Sequence, residues 1–307
     1  MFDEPANDMR AAATVREIVR LSGVGLHTGE VAELVIEPAP AGDGIRFIRS
    51  DLEGPVADRT IPADPALVTK TQLGTVLTNA NGASISTVEH LMAAFAMLGI
   101  TDADVLCSGP EVPILDGSAK DFIAAIQRAG IHVSPHTVEA VAPKEAVSVE
   151  LGDCWAVAEP LPEGTGAELL LDVTIEFDHP TIGLQRIVIE GDRDTIMKEV
   201  AEARTFTLLE HVEALREMGL ARGGSLENAI VLNAAGVMNE GGLRMEREFV
   251  RHKALDLVGD LYLLGLPLGC KITAHKPGHT LNTMLAKALA AEARGEVQED
   301  LPLAATA

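Results

Sequence analysis

Aromatic side chains are scarce in this chain of 307 residues: they make up 3% of it, with a single tryptophan and a single tyrosine. The hydrophobic fraction is nevertheless 47%, so aliphatic side chains must fill the core. This composition disfavours a platform of stacked aromatics for single-stranded nucleic acid.

Basic side chains are also few, because 24 Lys and Arg stand against 46 Asp and Glu, giving a formal net charge of −22. A surface of this sign does not attract the phosphate backbone of nucleic acids or anionic lipid head groups. We therefore expect no nucleic-acid partner, and an anionic ligand would need a local basic pocket.

Cysteine and long apolar runs are scarce as well. Cys107, Cys154 and Cys270 are odd in number, far apart and without a Cys-x-x-Cys motif, which disfavours disulfides and indicates a reducing compartment. The longest apolar runs fall well short of the ~20 residues that span a bilayer, and the first residues lack a signal-peptide pattern. We expect a cytoplasmic protein without a transmembrane segment.

The most informative stretch is 249–264, which is mostly apolar and predicts a buried helix. Its polar residues His252, Asp256 and Asp260 are four apart, so they share one face and must be paired or bound. His252 and Asp256 could bind one divalent metal, leaving Asp260 to hydrogen-bond a further group. The spacing alone also fits a hydrogen bond in the core or an ion pair on the surface.

A second helix is predicted from Ser86, as N-cap, to Gly99. Ser86 and Glu89 fit a capping box, which would give Glu89 a purely structural role. His90 opens a strongly apolar helix, where an unpartnered imidazole would be costly. Glu89 could be a base beside a metal ligand, and a core histidine fits this segment equally well.

The length suggests two domains or one large one, and residues 131–143, which lack clear periodicity, indicate a boundary. We predict an N-terminal α+β domain at 1–137 and a C-terminal one at 138–300. Each half runs from strands to an apolar helix beginning near a histidine, and then to a strand. This weak symmetry predicts a duplicated unit: two related domains, each a β-sheet with helices, with the helices packed between the sheets.

Several motifs in a fixed order identify a family resemblance: VGLHTG at 24–29, TVEH at 87–90, LDGSA at 115–119, ARTF at 203–206, RHK at 251–253 leading to Asp260, and GH at 278–279. Over residues 12–290 the chain resembles the zinc-dependent UDP-3-O-acyl-N-acetylglucosamine deacetylases of lipid A biosynthesis. The resemblance implies removal of the N-acetyl group from an acylated UDP-N-acetylglucosamine, giving acetate and a free amine.

The resemblance also implies the roles of individual residues. One zinc ion per chain is expected on His90, His252 and Asp256, with water in the fourth position. Glu89 is expected to be the general base, His279 the acid that protonates the leaving amine, Asp260 its orienting partner and Thr205 a stabiliser of the oxyanion.

Substrate contacts follow from the same resemblance. Phe177 is expected to stack on uracil, with Phe206 beside the substrate and Lys253 near its anionic part. An insert near 207–233 is expected to form an apolar acyl passage. Helical spacing predicts that Leu208 and Val212 share one apolar face, and this face is expected to form a wall of the passage. We expect a monomer that meets the membrane only peripherally, through its lipid-like substrate.

Three positions depart from the family pattern: Thr207 stands where glycine is usual, His211 where an acidic residue can occur, and Pro277 where serine is common. They leave the zinc chemistry intact and bear on acyl-chain preference and diphosphate contacts.

Two other functions fit the same residues. A zinc amidase acting on another N-acetylated sugar or small amide would use the same metal and base, and assays with and without the acyl chain would separate it. A non-catalytic metal-binding or scaffold protein would carry metal without turnover, although base, acid and oxyanion groups together favour an enzyme.

Overall fold

A computed structural model describes residues 9–162, 164–165 and 168–295. The outermost residues of the two predicted domains, 1–8 and 296–300, lie outside this described part. The strands in chain order are β1 (Met9–Val15), β2 (Val19–Val24), β3 (Val31–Pro38), β4 (Ile45–Arg49), β5 (Thr60–Pro62), β6 (Val68–Lys70), β7 (Val76–Thr78), β8 (Ser84–Ser86), β9 (Ala103–Cys107), β10 (Ile131–Glu139), β11 (Val147–Leu151), β12 (Cys154–Pro160), β13 (Leu169–Phe177), β14 (Gly183–Gly191), β15 (Phe206–Leu208), β16 (Ile230–Asn233), β17 (Gly236–Val237) and β18 (Cys270–His275). The helices are α1 (Glu89–Leu98), α2 (Lys120–Ala129), α3 (Arg193–Val200), α4 (Leu209–Glu217), α5 (Glu248–Leu261) and α6 (His279–Ala293), and short 3₁₀ turns lie at Val56–Arg59, Pro65–Leu67 and Tyr262–Leu264.

Two five-stranded sheets have the same topology. Their strand orders are β2-β3-β9-β4-β5 and β11-β12-β18-β13-β14. In both, the successive pairings are antiparallel, antiparallel, parallel and antiparallel. The helix before the central strand is α1 in one unit and α5 in the other, and the helix after it is α2 or α6. The predicted α+β fold built from a duplicated unit is therefore confirmed.

The helices pack between the two sheets, as the sequence predicts. Helix α2 contacts β2 of the first sheet, α6 contacts β11 and β12 of the second, and α1 packs directly on α5. Strand β13 shows why the sheets bury one face, because Leu171, Val173 and Ile175 are buried while the residues between them are not. Both sheets and the helices contribute to one continuous cluster of buried apolar residues.

Glycine at position 259 permits the close approach of α1 and α5. A Cβ atom there would lie 2.0 Å from the carbonyl oxygen of Glu89 and 3.2 Å from the backbone nitrogen of Ala93. No larger residue fits without separating the helices. The first turn of α1 is thereby held against the middle of α5.

Each unit also contains a small inserted sheet just before the helix that precedes its central strand. Strands β6, β7 and β8 form a three-stranded sheet ahead of α1, and β15, β16 and β17 form another ahead of α5, with α4 between β15 and β16. Because α1 and α5 pack together, the two inserts come to the same side of the molecule. Within the described residues no helix is long and apolar enough to cross a membrane.

Two local predictions are wrong. Ser86 does not cap α1, because it ends β8 and its hydroxyl donates to the carbonyl of Pro110; the N-cap is Val88, with no side-chain bond. Leu208 does not share a helical face with Val212, because it pairs with Leu232 in a parallel strand before α4 begins.

The predicted boundary segment also contains regular structure. Residues 131–139 form β10, which pairs antiparallel with β1 in a separate two-stranded sheet. The division between residues 137 and 138 falls inside this strand and stays a prediction.

Candidate active site

Helices α1 and α5 bring together a group of buried metal-binding side chains. His90 comes from the first turn of α1, and His252 and Asp256 lie one turn apart on α5. Among the described residues these three form a group whose potential ligand atoms all lie within 4.8 Å of one another. The two imidazole rings meet edge to face with centroids 5.1 Å apart.

The distances within this group fit a tetrahedral metal ion better than direct hydrogen bonds. Asp256 Oδ1 lies 3.5 Å from His90 Nε2 and 3.3 Å from His252 Nε2. Ligand atoms about 2.0–2.2 Å from a tetrahedral zinc ion are separated by about 3.3–3.6 Å. Asp256 Oδ1 is buried without a hydrogen-bond partner among the described residues, so an ion would satisfy an atom that otherwise has none.

His252 is held in the tautomer that a metal ligand needs. Its Nδ1–H donates to the carbonyl oxygen of Ala203 at 3.0 Å, which leaves the Nε2 lone pair directed at the group. Burial lowers the pKa of His252 to about 3 despite the adjacent Asp256 carboxylate. The imidazole is therefore neutral and able to bind a cation.

Asp256 is held as a carboxylate by its neighbours. Burial opposes ionisation, but His252 and Lys253 outweigh it and hold the pKa of Asp256 well below its usual range. Lys253 Nζ donates to Asp256 Oδ2 at 2.8 Å and lies 5.7 Å from the centre of the Phe206 ring. Burial lowers the pKa of Lys253, but Asp256 outweighs it and raises the pKa, so both side chains stay charged.

Glu89 lies beside this group with its carboxylate fixed by a backbone donor. Its Oε2 accepts a hydrogen bond from the backbone N–H of Thr75 at 3.0 Å, and its Oε1 lies 4.0 Å from His279 Nε2. Burial raises the pKa of Glu89, although His279 and His90 oppose the shift. A carboxylate with a raised pKa that faces a cavity can accept a proton near neutral pH. The capping role considered from the sequence does not apply.

His279 opens α6 and is paired with Asp260 on α5. Its Nδ1–H donates to Asp260 Oδ2 at 2.8 Å. Burial lowers the pKa of His279, but the carboxylates of Asp260 and Glu89 outweigh it and raise the pKa to about 9. The imidazole is thus a cation at neutral pH, with its Nε2–H on the side of Glu89.

Thr205 reaches the cavity from the segment before β15. Its backbone N–H donates to the carbonyl of Gly117 at 2.8 Å, and its carbonyl accepts from the backbone of Ile230. A Cβ on Gly117 would lie 2.0 Å from the carbonyl oxygen of Asn228 and 3.3 Å from Thr205 Cγ2, so only glycine allows the 115–119 turn to pack this closely against Asn228 and Thr205. The LDGSA motif thus helps to hold the backbone of Thr205 in place.

One cavity of about 350 Å³ collects most of the predicted site residues. Its wall includes the three metal-binding residues and five other predicted side chains: Glu89, Thr205, Phe206, Lys253 and His279. Asp260 is fully buried behind His279. Phe177 is not on this wall; it packs edge to face on Phe206, with ring centroids 5.4 Å apart.

A second, more apolar cavity of about 280 Å³ adjoins the first and shares Leu26, Leu73, Thr205 and Phe206 with it. Helix α4 supplies Leu209, Val212 and Leu215 to its wall. Val212 therefore lies on the wall of this apolar cavity, and its contact with an acyl chain stays a prediction. Leu208 instead packs against the hydrophobic core from β15.

Some residues near the site were not predicted from the sequence. His27 Nε2 donates to the carbonyl of Leu73 at 3.0 Å, and His27 is not one of the described residues that could together hold a metal. Lys276, on the cavity wall and ion-paired with Asp153 and Glu176, was not predicted, although its place three residues before His279 was a usable signal. Thr75 was missed as well, and its sequence context gives no signal.

These features together are those of a metal-dependent hydrolase: a buried His/His/Asp group, a carboxylate base and a cationic imidazole at one cavity. Comparison with known proteins gives the particular family. Residues 12–291 match the family model of UDP-3-O-acyl N-acetylglycosamine deacetylase (LpxC), and the chain belongs to this family.

Individual relatives agree. The chain is 46% identical over 275 residues to the UDP-3-O-acyl-N-acetylglucosamine deacetylase of Myxococcus xanthus, covering 89% of this chain and 84% of the relative. It is 44% identical over 281 residues to the protein of that name from Phenylobacterium zucineum, covering 91% and 92%. With that of Acidithiobacillus ferrooxidans the identity is 45% over 278 residues, covering 90% and 88%. The resemblance noted from the motifs is confirmed, and the chain is an amide hydrolase of the deacetylase class.

Proposed function

We propose that this chain uses one zinc ion to remove the N-acetyl group of UDP-3-O-(3-hydroxyacyl)-N-acetylglucosamine, the committed step of lipid A biosynthesis. The observation that best supports this proposal is the buried group of His90, His252 and Asp256, which lines a cavity together with Glu89 and His279. Three protein ligands and an accessible fourth position are the arrangement of catalytic rather than structural zinc sites.

His90, His252 and Asp256 would hold the metal. Zinc bound there would supply Lewis acidity, polarising the acetamide carbonyl and making a water molecule more acidic. Glu89 accepts the proton of the attacking water, since burial has raised its pKa and the backbone of Thr75 fixes its other oxygen. Its Oε1 is the oxygen nearer His279, so the base faces the proton donor.

His279 gives a proton to the leaving amine. It is protonated before the reaction because Asp260 and Glu89 raise its pKa to about 9 against the effect of burial. Asp260 holds Nδ1–H, so Nε2–H is the proton available for transfer. Thr205 lies on the same wall and supports the oxyanion; loss of one such donor typically costs about 2.7–4 kcal/mol in the barrier.

The two adjoining cavities suit a substrate with a polar and an apolar part. Phe206 offers aromatic surface on the wall of the catalytic cavity, Phe177 packs against it and is assigned to the uracil, and Lys253 offers a cation on the same wall. Thr207, one of the departures from the family pattern, lies on the wall of the apolar cavity. We assign this second cavity to the acyl chain, with Val212 on its wall.

We further propose that the chain works as a monomer in the cytoplasm and meets the membrane only through its acylated substrate. The free thiols of Cys107, Cys154 and Cys270 suit a reducing compartment.

The test combines metal analysis with acetate release. The purified chain should bind one zinc ion and release acetate from the acylated nucleotide sugar far faster than from UDP-N-acetylglucosamine, which lacks the chain. Equal rates on both substrates would favour a zinc amidase of another specificity, and bound metal with no turnover on either would favour a non-catalytic protein.

Glu89→Gln separates the roles of base and structural residue. The variant should keep its zinc and its fold, because glutamine can still accept from Thr75, but lose a factor of roughly 10²–10⁴ in turnover. Glu150→Gln, at an exposed position on β11, is the matched control and should turn over normally. Near-normal turnover of Glu89→Gln would remove Glu89 from the mechanism.

A further inference from the structure

Thr75 lies just before β7 and is completely buried. Its hydroxyl donates to Asp260 Oδ1 at 2.6 Å, and its backbone N–H donates to Glu89 Oε2 at 3.0 Å. Its carbonyl accepts a hydrogen bond from the backbone N–H of Thr87, two residues before Glu89, at 3.0 Å. One residue therefore links the loop ahead of α1, the base on α1 and the aspartate on α5.

We propose that Thr75 is a positioning residue that sets the geometry between the base Glu89 and the acid His279, acting through Asp260. The proposal rests on the proposed function for the roles of those two groups. The two duplicated units are called the first and second repeats. Thr75 belongs to the three-stranded insert of the first repeat, whereas Asp260 and His279 belong to the second repeat. The link thus joins the acid and base halves of the site across the two repeats.

The hydroxyl of Thr75 fixes which oxygen of Asp260 faces His279. Oδ2 accepts from His279 Nδ1 and from the Asn282 side-chain amide, both at 2.8 Å, whereas Oδ1 accepts from Thr75. Asp260 is fully buried, so water does not readily replace a lost donor. Without the hydroxyl, Oδ1 would be an unsatisfied acceptor, and the carboxylate would be free to turn toward its remaining donors.

Turning of this carboxylate would move the proton donor relative to the base. His279 is held at Nδ1 by Asp260, and its Nε2 lies only 4.0 Å from Glu89 Oε1. The other oxygen of Glu89 is tied to the backbone of Thr75 itself. Thr75 thereby anchors both groups, and a misplacement of about 1 Å between catalytic groups can cost about 10²-fold in rate.

The test replaces the hydroxyl without changing the shape of the side chain. Thr75→Val should lower kcat by roughly 10- to 100-fold, the range typical for partners that orient residues of a metal site, with KM and zinc content close to wild type. Thr75→Ser should restore kcat to within a few fold. Thr75→Ala against Thr75→Ser provides a second comparison that does not depend on the fit of valine.

Thr101 offers a matched control elsewhere in the fold. It is also buried, and its hydroxyl also donates to a carboxylate, Asp102 Oδ2, at 2.6 Å. Thr101→Val should lower the free energy of unfolding without lowering kcat. Equal losses of kcat in the Thr75 and Thr101 variants would overturn the proposal, because they would reflect stability alone.

Two measurements tie the effect to Asp260 and separate it from the proposed function. In an Asp260→Ala background, adding Thr75→Val should cost nothing further in kcat, whereas additive losses would overturn a route through Asp260. The proton on His279 Nδ1 should give a protected downfield NMR signal in the wild type and in Thr75→Ser, and exchange faster in Thr75→Val. This signal needs no substrate: an unchanged signal in Thr75→Val would overturn the inference, while absence of deacetylation by the wild type would overturn the proposed function alone.

Discussion

Replacement of Gly259 by alanine should disturb the metal group more than the fold. A methyl carbon at 259 would lie 2.0 Å from the carbonyl oxygen of Glu89. Because a carbon–oxygen contact settles at about 3.3 Å, α1 and α5 would have to separate by about 1.3 Å at this point. The displacement falls on the turn of α1 that carries Glu89 and His90.

The expected loss of function is large because the ligands lie on the two separated helices. His90 would move with α1 while His252 and Asp256 stay with α5, although metal–ligand distances tolerate only about ±0.2 Å. A misplacement of about 1 Å at a catalytic centre can cost about 10²-fold, so we expect kcat/KM to fall about 100-fold and zinc to be lost at lower chelator concentration.

The expected loss of stability is small. Overpacking costs about 1–3 kcal/mol, but alanine gains about 0.8–1.0 kcal/mol over glycine inside a helix. The free energy of unfolding should therefore fall by no more than about 2 kcal/mol. Chelator titration, turnover and urea unfolding on the same preparation separate the two effects.

Gly109→Ala is the control, because its Cβ would make an ordinary contact, 3.6 Å from the Cβ of Ala32. It should leave zinc affinity and turnover unchanged. Wild-type zinc affinity and turnover in Gly259→Ala would refute the reasoning, since the helices could then separate without moving the ligands.

Three further predictions concern the ligands, the acyl cavity and pH. Asp256→Ala removes the oxygen between the two imidazoles and should abolish stoichiometric zinc binding; full occupancy by metal analysis would contradict the ligand assignment. Val212→Gln places a polar group on the wall of the apolar cavity and should raise KM for the long-chain substrate. The expected rise is about fourfold for each methylene no longer buried, because each contributes ~0.8 kcal/mol. An analogue lacking the chain should be little affected, and equal effects on both substrates would show a purely structural role. Burial raises the pKa of Asp116, but hydrogen bonds from Ser118 and Arg244 outweigh burial, so the folded-state pKa is lowered. The ionised carboxylate therefore stabilises the fold at pH values above its unfolded pKa of about 3.9. This stabilisation is lost as the pH falls through the lower folded-state pKa. Asp116→Asn should accordingly be less stable than the wild type at pH 7 in urea unfolding, and the difference should shrink below about pH 4; a difference that does not vary with pH would count against this account.

Helical periodicity indicated part of the site from the sequence, and the family resemblance implied the roles of the other residues. His252, Asp256 and Asp260 recur every four residues in an apolar segment, and α5 presents all three on one buried face. Their partners could be placed because the two repeats have the same order of elements, which puts α1 against α5. These features depend on local spacing and on chain order, and both can be read directly from a sequence.

Features that depend on distant contacts or unusual backbone conformations could not be predicted. Thr75 and Asp260 are 185 positions apart, and nothing near Thr75 marks it as a partner. Ser86 fails as a cap because Thr87 adopts a left-handed conformation, with φ of 58°, which turns the chain between β8 and α1. Leu208 is extended because β16, more than twenty residues later, pairs with it.

The division of the metal-binding residues between the repeats links metal supply to assembly of the fold. The first repeat contributes His90, and the second contributes His252 and Asp256, so neither repeat alone has the three-ligand set. Zinc at 1,000 times its dissociation constant would stabilise the folded state by about 4.1 kcal/mol. Because the ligands come from both repeats, this free energy would stabilise the interface between them. Depletion of zinc should therefore weaken the α1–α5 interface before it unfolds either sheet, and amide exchange in these two helices should rise first.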